Sequence, residues 1–297
     1  MKNSIIKLKP CFKDYVWGGN KLKDFGKESS NIIAESWELS THSDGLSFID
    51  DEKNTTLIEY IKNNLSVVNS DNIPIIIKFI DANRDLSIQV HPNDEYAFKY
   101  EKQLGKTEVW YILESDIDSY IYYGLNRSVS KEELHKRIEN GTILEVLNKV
   151  YTKPGDCFLI EPGTIHSIGS GNVICEIQES SNVTYRVFDY NRKDGSGNLR
   201  QLHIDKALDV TNFEKLDLND DKLHQGNCKY FNSELFAVRN RMTFNTNINY
   251  EIVCIIDGCC RIENRNYQKG DTLLIPYEYG EYTIEGNCQL IRTLPNI

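Results

Sequence analysis

Two histidines and one glutamate lie at the ends of strand-like segments, where a β-barrel presents side chains at its mouth. Among the six histidines, His91 and His166 each follow an alternating segment and have turn residues beside them. Glu108 shares one strand face with Lys106 and Trp110, because successive side chains of a strand point to opposite faces. A carboxylate that faces the interior is costly unless it is paired or binds a cation. This combination predicts a catalytic-type site for Zn²⁺ or another divalent first-row metal.

The segment LSIQVHPND, residues 86–94, carries the first of these histidines and alternates apolar with polar side chains. Ser87, Gln89 and His91 share one face of the predicted strand, and Pro92 ends its pairing. That polar face lies either in solvent, as is usual for antiparallel sheets, or in a polar cavity. If it faces inward, Gln89 can add its amide oxygen to the metal site and Ser87 can contact substrate.

Short alternating segments bounded by Gly, Pro, Asn and Asp dominate the sequence and predict an all-β fold. Helical inserts are few, and capping boxes mark their starts because a Ser or Thr is followed three residues later by Glu. These pairs are Thr56 with Glu59, Ser130 with Glu133, and Thr142 with Glu145. A further helix is predicted for residues 94–104, ended by Gly105.

A weak internal repeat relates two segments of the chain. YTKPGDCFLIEPGTIH, residues 151–166, is similar to NYQKGDTLLIPYEYG, residues 266–280. Each copy has a Gly-Asp turn, an apolar strand and then a proline. Gly280 stands in the second copy where the first has His166, so the second copy is predicted to lack the metal chemistry.

The chain length of 297 residues exceeds what one hydrophobic core usually organises, about 250 residues. The polar, charge-rich segment 213–227 separates the two repeat copies and is a predicted linker. We therefore predict two β-barrel or jelly-roll units, a catalytic one over residues 1–220 and a smaller one over residues 221–297.

The formal charge of −10 and the pI near 5.2 argue against nucleic acid or an anionic membrane as partner. The N-terminal segment lacks the apolar region of a signal peptide, and no segment approaches the ~18 apolar residues of a spanning helix. The eight cysteines form no CxxC pair, and several lie in apolar strand-like segments, so we expect reduced, buried thiols. These features predict a cytoplasmic protein, and they leave its oligomeric state open.

The spacing of Gly155, Pro162, Gly163 and His166 is similar to the second conserved motif of the cupins, which are jelly-roll proteins. More specifically, QVHP, GKTE, PGTIH and EIQESSNVTYRVFDY resemble the type I mannose-6-phosphate isomerases in their shorter bacterial form. The resemblance begins with YVWGG and covers most of residues 10–200, with the motifs in the order of the family. It implies a cupin jelly-roll barrel with small helical inserts, followed by a smaller, degenerate cupin-like β domain.

The resemblance also implies residue roles. It implies a metal site of His91, Glu108 and His166, to which Gln89 is added in larger members of the family. It further implies that Arg186 is the active-site arginine and that Glu176 lies in the same pocket. From the residues alone, these last two side chains could also form a structural ion pair.

The implied reaction interconverts mannose 6-phosphate and fructose 6-phosphate by moving a proton between C2 and C1 through a cis-enediolate. Arg186 suits the oxyanion or the phosphate because its charge is permanent and its donors are forked. Lys106 is a second candidate cation, and Glu176 is a candidate acid-base group. Trp17 is predicted either to wall the enediolate from water or to belong to the core.

Two alternatives from other functional classes remain open on the sequence. A cupin with two histidines and a glutamate could be a non-haem iron oxygenase. The chain could also be a non-catalytic sugar-binding cupin, although such a protein would have no use for Lys106, Glu176 and Arg186.

Overall fold

The computed structural model describes residues 4–50, 53–193, 197–247 and 249–296. Strands dominate these residues, and the prediction of an all-β fold with small helical inserts is confirmed. The strands are Ile6–Lys9 (β1), Cys11–Lys13 (β2), Glu35–Leu39 (β3), Phe48–Ile49 (β4), Ile75–Ala82 (β5), Ile88–Val90 (β6), Glu108–Ser115 (β7), Tyr120–Leu125 (β8), Leu147–Tyr151 (β9), Cys157–Ile160 (β10), His166–Ile168 (β11), Asn172–Glu179 (β12), Tyr185–Phe188 (β13), Phe231–Thr246 (β14), Glu251–Ile262 (β15), Arg265–Gln268 (β16), Thr272–Ile275 (β17) and Gly280–Pro295 (β18). The α-helices are Leu57–Asn63 (α1), Asp94–Glu101 (α2), Lys131–Glu139 (α3) and Ile204–Val210 (α4).

Two antiparallel sheets face each other in the part of the chain that carries the predicted metal ligands. A six-stranded sheet has the order β10-β7-β12-β5-β3-β2, and a five-stranded sheet has the order β13-β6-β11-β8-β9. Apolar side chains from both sheets pack together between them, including Trp110 and Ile174 from the first and Ile121 and Ile168 from the second. The space between the two sheets is therefore the interior in which inward-facing polar residues meet.

The six-stranded sheet is covered on both faces, which explains why every residue of β5 and β12 is buried. Its second face packs against a seven-stranded sheet through residues such as Ile177 and Ile291. Burial on both faces favours the near-continuous apolar sequence IPIIIKFID of the β5 region rather than strict alternation. A charged residue within such a strand must consequently find a partner inside the protein.

The seven-stranded sheet has the order β14-β18-β15-β17-β1-β4, with β16 paired to β15. Strand β1 joins it through the pairing of Ile6 with Leu274, so residues near the N-terminus complete the sheet of the C-terminal unit. This long-range pairing was not expected from the repeat. The division of the chain at residues 220 and 221 stays a prediction.

At two of the predicted capping boxes the Ser or Thr side chain caps the helix. Thr56 and Ser130 each accept a hydrogen bond from the backbone N–H three residues later, at the starts of α1 and α3. The third is wrong as a capping box, because Thr142 makes no such bond and precedes a single 3₁₀ turn, Ile143–Val146.

The helix predicted for residues 94–104 is shorter than expected. It ends at Glu101, because Lys102 adopts a left-handed conformation with φ of 58°. Gly105 does not end the helix, as was predicted, but allows two backbone segments to pack closely. A Cβ at that position would lie 2.5 Å from the backbone at Asn93 and Asp94, so the close approach of the two segments requires glycine.

The predicted linker packs against the protein rather than running free. Residues 221–224 form a 3₁₀ turn in which Leu223 is buried, and Leu216 and Leu218 pack on the same cluster. The cysteines form no disulfide among the described residues, and Cys259 is exposed, contrary to the expectation of burial. None of the described helices is long and apolar enough to cross a membrane.

Candidate active site

The two histidines and the glutamate come together between the facing sheets. Glu108 begins β7, His166 begins β11, and His91 follows β6 directly. His166 Nε2 lies 3.2 Å from Glu108 Oε1, and His91 Nε2 lies 3.6 Å from Glu108 Oε2. One potential ligand atom from each residue falls within 4.8 Å of the other two, and all three side chains are buried.

Backbone carbonyls orient both imidazoles. His91 Nδ1 lies 2.9 Å from the carbonyl oxygen of Val183, and His166 Nδ1 lies 2.8 Å from that of Thr164. A carbonyl only accepts hydrogen bonds, so each Nδ1 carries the proton and each Nε2 presents its lone pair to the centre. This arrangement is typical of histidine metal ligands, whose other ring nitrogen is fixed by a hydrogen bond.

The charges and burial around this centre set protonation states that favour binding of a cation. Burial, together with the nearby Lys106 ammonium, lowers the pKa of His91 to about 3, so the imidazole is neutral. Burial alone would raise the pKa of Glu108, but Lys106 and His91 outweigh it and keep that pKa well below its usual range. Neutral imidazoles and an ionised carboxylate are the protonation states that metal binding requires.

The environment of the Glu108 carboxylate shows whether these residues suit a metal ion. It is fully buried, and neither of its oxygens makes a hydrogen bond within the described part of the protein. Lys106 Nζ lies 2.6 Å from Oε2, so a positive charge is near, but the oxygens still lack directional partners. A divalent ion bound by His91, Glu108 and His166 would satisfy both oxygens, and the residues therefore fit such an ion.

The polar face of residues 86–94 points inward. Of the two locations considered for it, solvent and a polar cavity, it occupies the polar cavity. Ser87 and His91 are buried, while Ile88 and Val90 pack on the opposite side of the sheet. The side-chain amide of Gln89 lies 3.4 Å from His166 Nε2. Gln89 is thus within reach of the centre, and its role as a fourth ligand stays a prediction.

A cleft of about 280 Å³ opens next to the centre and brings together the other predicted site residues. Trp17, Ser87, Gln89, Lys106, Glu176 and Arg186 all line it. Trp17 is 4% exposed, so it contributes both to the cleft wall and to the core cluster between the sheets. The remaining lining residues are Tyr15, Glu35, Lys78, Ile80, Leu86, Ile168, Asn182, Thr184 and Arg200.

Glu176 pairs with a lysine that the sequence analysis did not single out. Its Oε1 lies 2.9 Å from Lys78 Nζ, and its Oε2 accepts a hydrogen bond from Trp110 Nε1 at 3.1 Å. Burial acts to lower the pKa of Lys78, but the carboxylates of Glu176 and Glu35 outweigh burial and raise it. The signal for Lys78 was its place as a lone charge within the apolar segment IPIIIKFID.

Arg186 lies at the other side of the cleft and does not form the ion pair considered for it. Its Nε donates to Ser87 Oγ at 3.2 Å, and its Nη1 donates to the carbonyl oxygen of Gln201 at 2.9 Å. The backbone of Arg186 is opposite Gln89 in the pairing of β13 with β6. Arg200, on the loop that follows β13, is a second cleft arginine that the sequence analysis missed.

Comparison with known proteins agrees with this geometry. The family described as phosphomannose isomerase type I, catalytic domain, matches residues 5–135, and the mannose-6-phosphate isomerase cupin domain matches residues 221–295. Mannose-6-phosphate isomerase ManA of Bacillus subtilis is 36% identical over 305 residues, covering 96% of this chain and 96% of that protein.

Solved structures show the same relationship. A crystal structure of the mannose 6-phosphate isomerase from Bacillus subtilis has a TM-score of 0.90 at 32% identity, covering 98% of this chain and 99% of that chain. A mannose 6-phosphate isomerase bound with zinc and yttrium shares the fold, with a TM-score of 0.80 at 16% identity over 99% of this chain and 100% of that chain.

Facing antiparallel sheets that hold two imidazoles and a carboxylate beside a polar cleft define a cupin-type protein with a candidate metal centre. The chain belongs to the type I phosphomannose isomerase family. The resemblance drawn from the sequence motifs is thereby confirmed, and neither the oxygenase nor the non-catalytic alternative is favoured.

Proposed function

We propose that this chain interconverts mannose 6-phosphate and fructose 6-phosphate with one divalent metal, Zn²⁺, held by His91, Glu108 and His166. The observation that carries the proposal is the buried Glu108 carboxylate between two oriented imidazoles at the base of a cationic cleft. Two nitrogen ligands and one carboxylate are the donor set of many catalytic zinc sites. The zinc in a related isomerase structure supports the same choice of metal.

The bound metal would supply a Lewis-acid charge that polarises the substrate oxygens at C1 and C2. Gln89 lies beside His166 and would either complete the ligand set or hold a substrate hydroxyl. The imidazoles stay fixed in one tautomer because their Nδ1 atoms are held by backbone carbonyls.

Glu176 is the group we propose to move the proton between C2 and C1. Its carboxylate lines the cleft, and the Lys78 ammonium at 2.9 Å and the Trp110 N–H at 3.1 Å hold it in one orientation. A fixed carboxylate can take the C2 proton and return it to C1 on the same face of the enediolate.

The positive charge for the enediolate oxygens comes from Lys106 and Arg186. Lys106 Nζ lies 2.6 Å from Glu108 and 3.8 Å from Glu176, so it stands between the metal ligands and the proposed base. Arg186 is held by Ser87 and Gln201 and approaches from the opposite sheet edge. Preorganised cations stabilise developing oxyanion charge without reorganising during the reaction.

The direct test is a coupled assay for fructose 6-phosphate formation from mannose 6-phosphate, with and without a chelator, together with elemental analysis of the purified protein. We expect about one divalent first-row metal per chain, activity that is lost with chelator, and recovery on adding Zn²⁺. Protein without such a metal, or activity indifferent to chelator, would contradict the proposed metal dependence.

A further inference from the structure

The four cations of the cleft fall into two groups with different partners. Lys78 and Lys106, at the inner end, are about 4% exposed and each lies within 3 Å of a carboxylate. Arg186 and Arg200 lie at the outer end and are partly exposed. The inner charges are therefore balanced within the protein, whereas Arg186 and Arg200 have no carboxylate within 3 Å among the described residues.

The outer end carries surplus positive charge. The hydrogen bonds of the Arg186 guanidinium among the described residues go to neutral acceptors, the hydroxyl of Ser87 and the carbonyl of Gln201. Arg200 Nε lies 3.4 Å from Asp189, but the same carboxylate also pairs with Arg192. Two guanidiniums thus share one carboxylate and Arg186 has no ion pair among the described residues, in a protein whose overall charge is −10.

Both cleft guanidiniums would be stabilised by an anion. Burial lowers the pKa of Arg186, and the neighbouring Arg200 lowers it further. Burial is also the main cause that lowers the pKa of Arg200, with Arg192 acting in the same direction. Side chains that are partly desolvated and repelled by one another gain most from a ligand of opposite charge.

The position of the surplus charge matches the shape of an open-chain sugar phosphate. Ser87, Gln89 and His91 follow one another along one strand face, with about 6.6 Å between alternate residues. His91 belongs to the reacting end of this face, and the pairing of β13 with β6 places Arg186 opposite Gln89. Beyond Phe188, which pairs with Ile88, the chain continues away from His91 to Asp189, the partner of Arg200. A hexose 6-phosphate carries its dianion on C6, at the opposite end of the carbon chain from C1 and C2.

We propose that Arg200 binds the phosphate of the substrate and so sets the specificity for phosphorylated sugars. This inference rests on the proposed isomerase function for the nature of the substrate. Arg200 comes from the loop rather than from a sheet and has its guanidinium directed by Asp189. Arg186, on a strand opposite Gln89, is the nearer of the two to the reacting end. The two arginines therefore have separate tasks, phosphate binding for Arg200 and charge stabilisation for Arg186.

The test compares Arg200→Gln and Arg200→Lys with a matched control, Lys193→Gln. Lys193 is exposed, lies on the same loop and does not line the cleft, so its replacement changes the net charge equally. Steady-state kinetics with mannose 6-phosphate should show KM raised about 10- to 100-fold in Arg200→Gln, the effect of losing one charge-assisted contact. We expect kcat to stay within about threefold, because the contact is equally strong in the ground and transition states.

Arg200→Lys should recover part of the loss, since it keeps the charge without the fork, and Lys193→Gln should behave as wild type. An unchanged KM in Arg200→Gln would overturn the proposal. A fall in kcat at constant KM would overturn it too, as would an equal rise in KM for Lys193→Gln, which would indicate general electrostatics only.

A binding measurement separates this inference from the proposed function. Sorbitol 6-phosphate is an open-chain polyol phosphate without a carbonyl, so it can bind but cannot isomerise. Calorimetry should show its affinity weakened about 10- to 100-fold in Arg200→Gln and unchanged in Lys193→Gln. Absence of isomerase activity with this binding pattern intact would reject the function and keep the phosphate site. Equal affinity in wild type and Arg200→Gln would reject the phosphate site whatever the activity.

Discussion

Glu108 and Glu251 occupy equivalent places in the two β units, and only one of them belongs to a candidate metal centre. Glu108 is the first residue of β7 and pairs with Ile160, the last residue of β10. In the same way, Glu251 is the first residue of β15 and pairs with Ile275, the last residue of β17. Both carboxylates are buried, at 0% and 1% exposure. The same backbone position therefore carries the same charged group in both units.

The neighbours of the two carboxylates are what differ. Around Glu108 lie two imidazoles that offer lone pairs, and its oxygens make no hydrogen bonds to any residue that the structure describes. Glu251 accepts hydrogen bonds from Arg292 Nε at 2.7 Å and from the Tyr282 hydroxyl at 2.9 Å. Lys106 lies 2.6 Å from Glu108, but the two imidazole lone pairs beside that carboxylate still call for an external cation, whereas Glu251 is satisfied by an arginine and a tyrosine.

The comparison shows that the backbone of this architecture does not decide the chemistry. A buried carboxylate needs a positive partner in either unit, because an isolated buried charge is costly. Two histidines beside the carboxylate of Glu108 add lone pairs that a metal can use, whereas an arginine beside Glu251 adds only hydrogen-bond donors.

The largest effect is expected for Glu108→Gln. An amide cannot replace an anionic metal ligand, so metal content should fall well below one per chain and activity should fall by about 10³-fold or more. The apolar packing between the sheets is untouched, so the variant should remain folded. Elemental analysis, the coupled assay and thermal unfolding followed by circular dichroism measure the three quantities. Unchanged metal content would show that Glu108 is not a ligand.

A smaller effect on catalysis is expected at Arg186, where two substitutions separate two roles. Arg186→Lys keeps the charge but loses the fork, and Arg186→Ala loses both. If the guanidinium stabilises charge that develops in the transition state, kcat should fall about 10²-fold or more, roughly 3 kcal/mol, with KM changed much less. Steady-state kinetics with metal content verified would measure both constants. A raised KM with kcat intact would instead assign Arg186 to the phosphate, and wild-type kinetics in both variants would leave it without a catalytic role.

In the C-terminal unit, Arg292→Met should reduce stability rather than activity. It leaves Glu251 buried without its cation, which we expect to cost about 2 to 3 kcal/mol because Arg292 itself is partly exposed. Urea unfolding monitored by fluorescence gives the change in the free energy of unfolding. The double variant Glu251→Met with Arg292→Met removes both charges and should recover much of the loss. Equal stability of the single variant and wild type would show that the pair is not needed.

Local sequence patterns predicted the parts of the site that depend on strand periodicity. The shared face of Ser87, Gln89 and His91 follows from alternation, and so does the shared face of Lys106 and Glu108, but the inward direction of the first face followed only from the family motifs. The meeting of His91, Glu108 and His166 required the family motifs as well, because separate strands show no mutual register in a single sequence.

The residues that were missed depend on contacts between distant segments. Lys78 lies in an apolar strand buried on both faces, where alternation gives no direction for a side chain. Arg200 lies on a loop, which has no periodicity to show where its guanidinium points. The joining of β1 to β17 depends on a pairing between Ile6 and Leu274, which no local pattern can indicate.

The smallest effect is expected for Gly280→His, which places in the second unit the residue type that the first has at His166. Gly280 begins β18 as His166 begins β11, and a Cβ there would meet no atom within 4 Å. Its φ of 83° makes a non-glycine residue costly, by about 1 kcal/mol.

The variant should nevertheless bind no second metal. Residues 228–297 contain no other histidine, and Glu251 is already paired with Arg292 and Tyr282. Metal analysis should therefore give the same stoichiometry in this variant as in wild type, about one per chain. A second bound metal would show that a single imidazole suffices to convert the C-terminal unit, and that pairing with Arg292 does not withhold Glu251 from a metal.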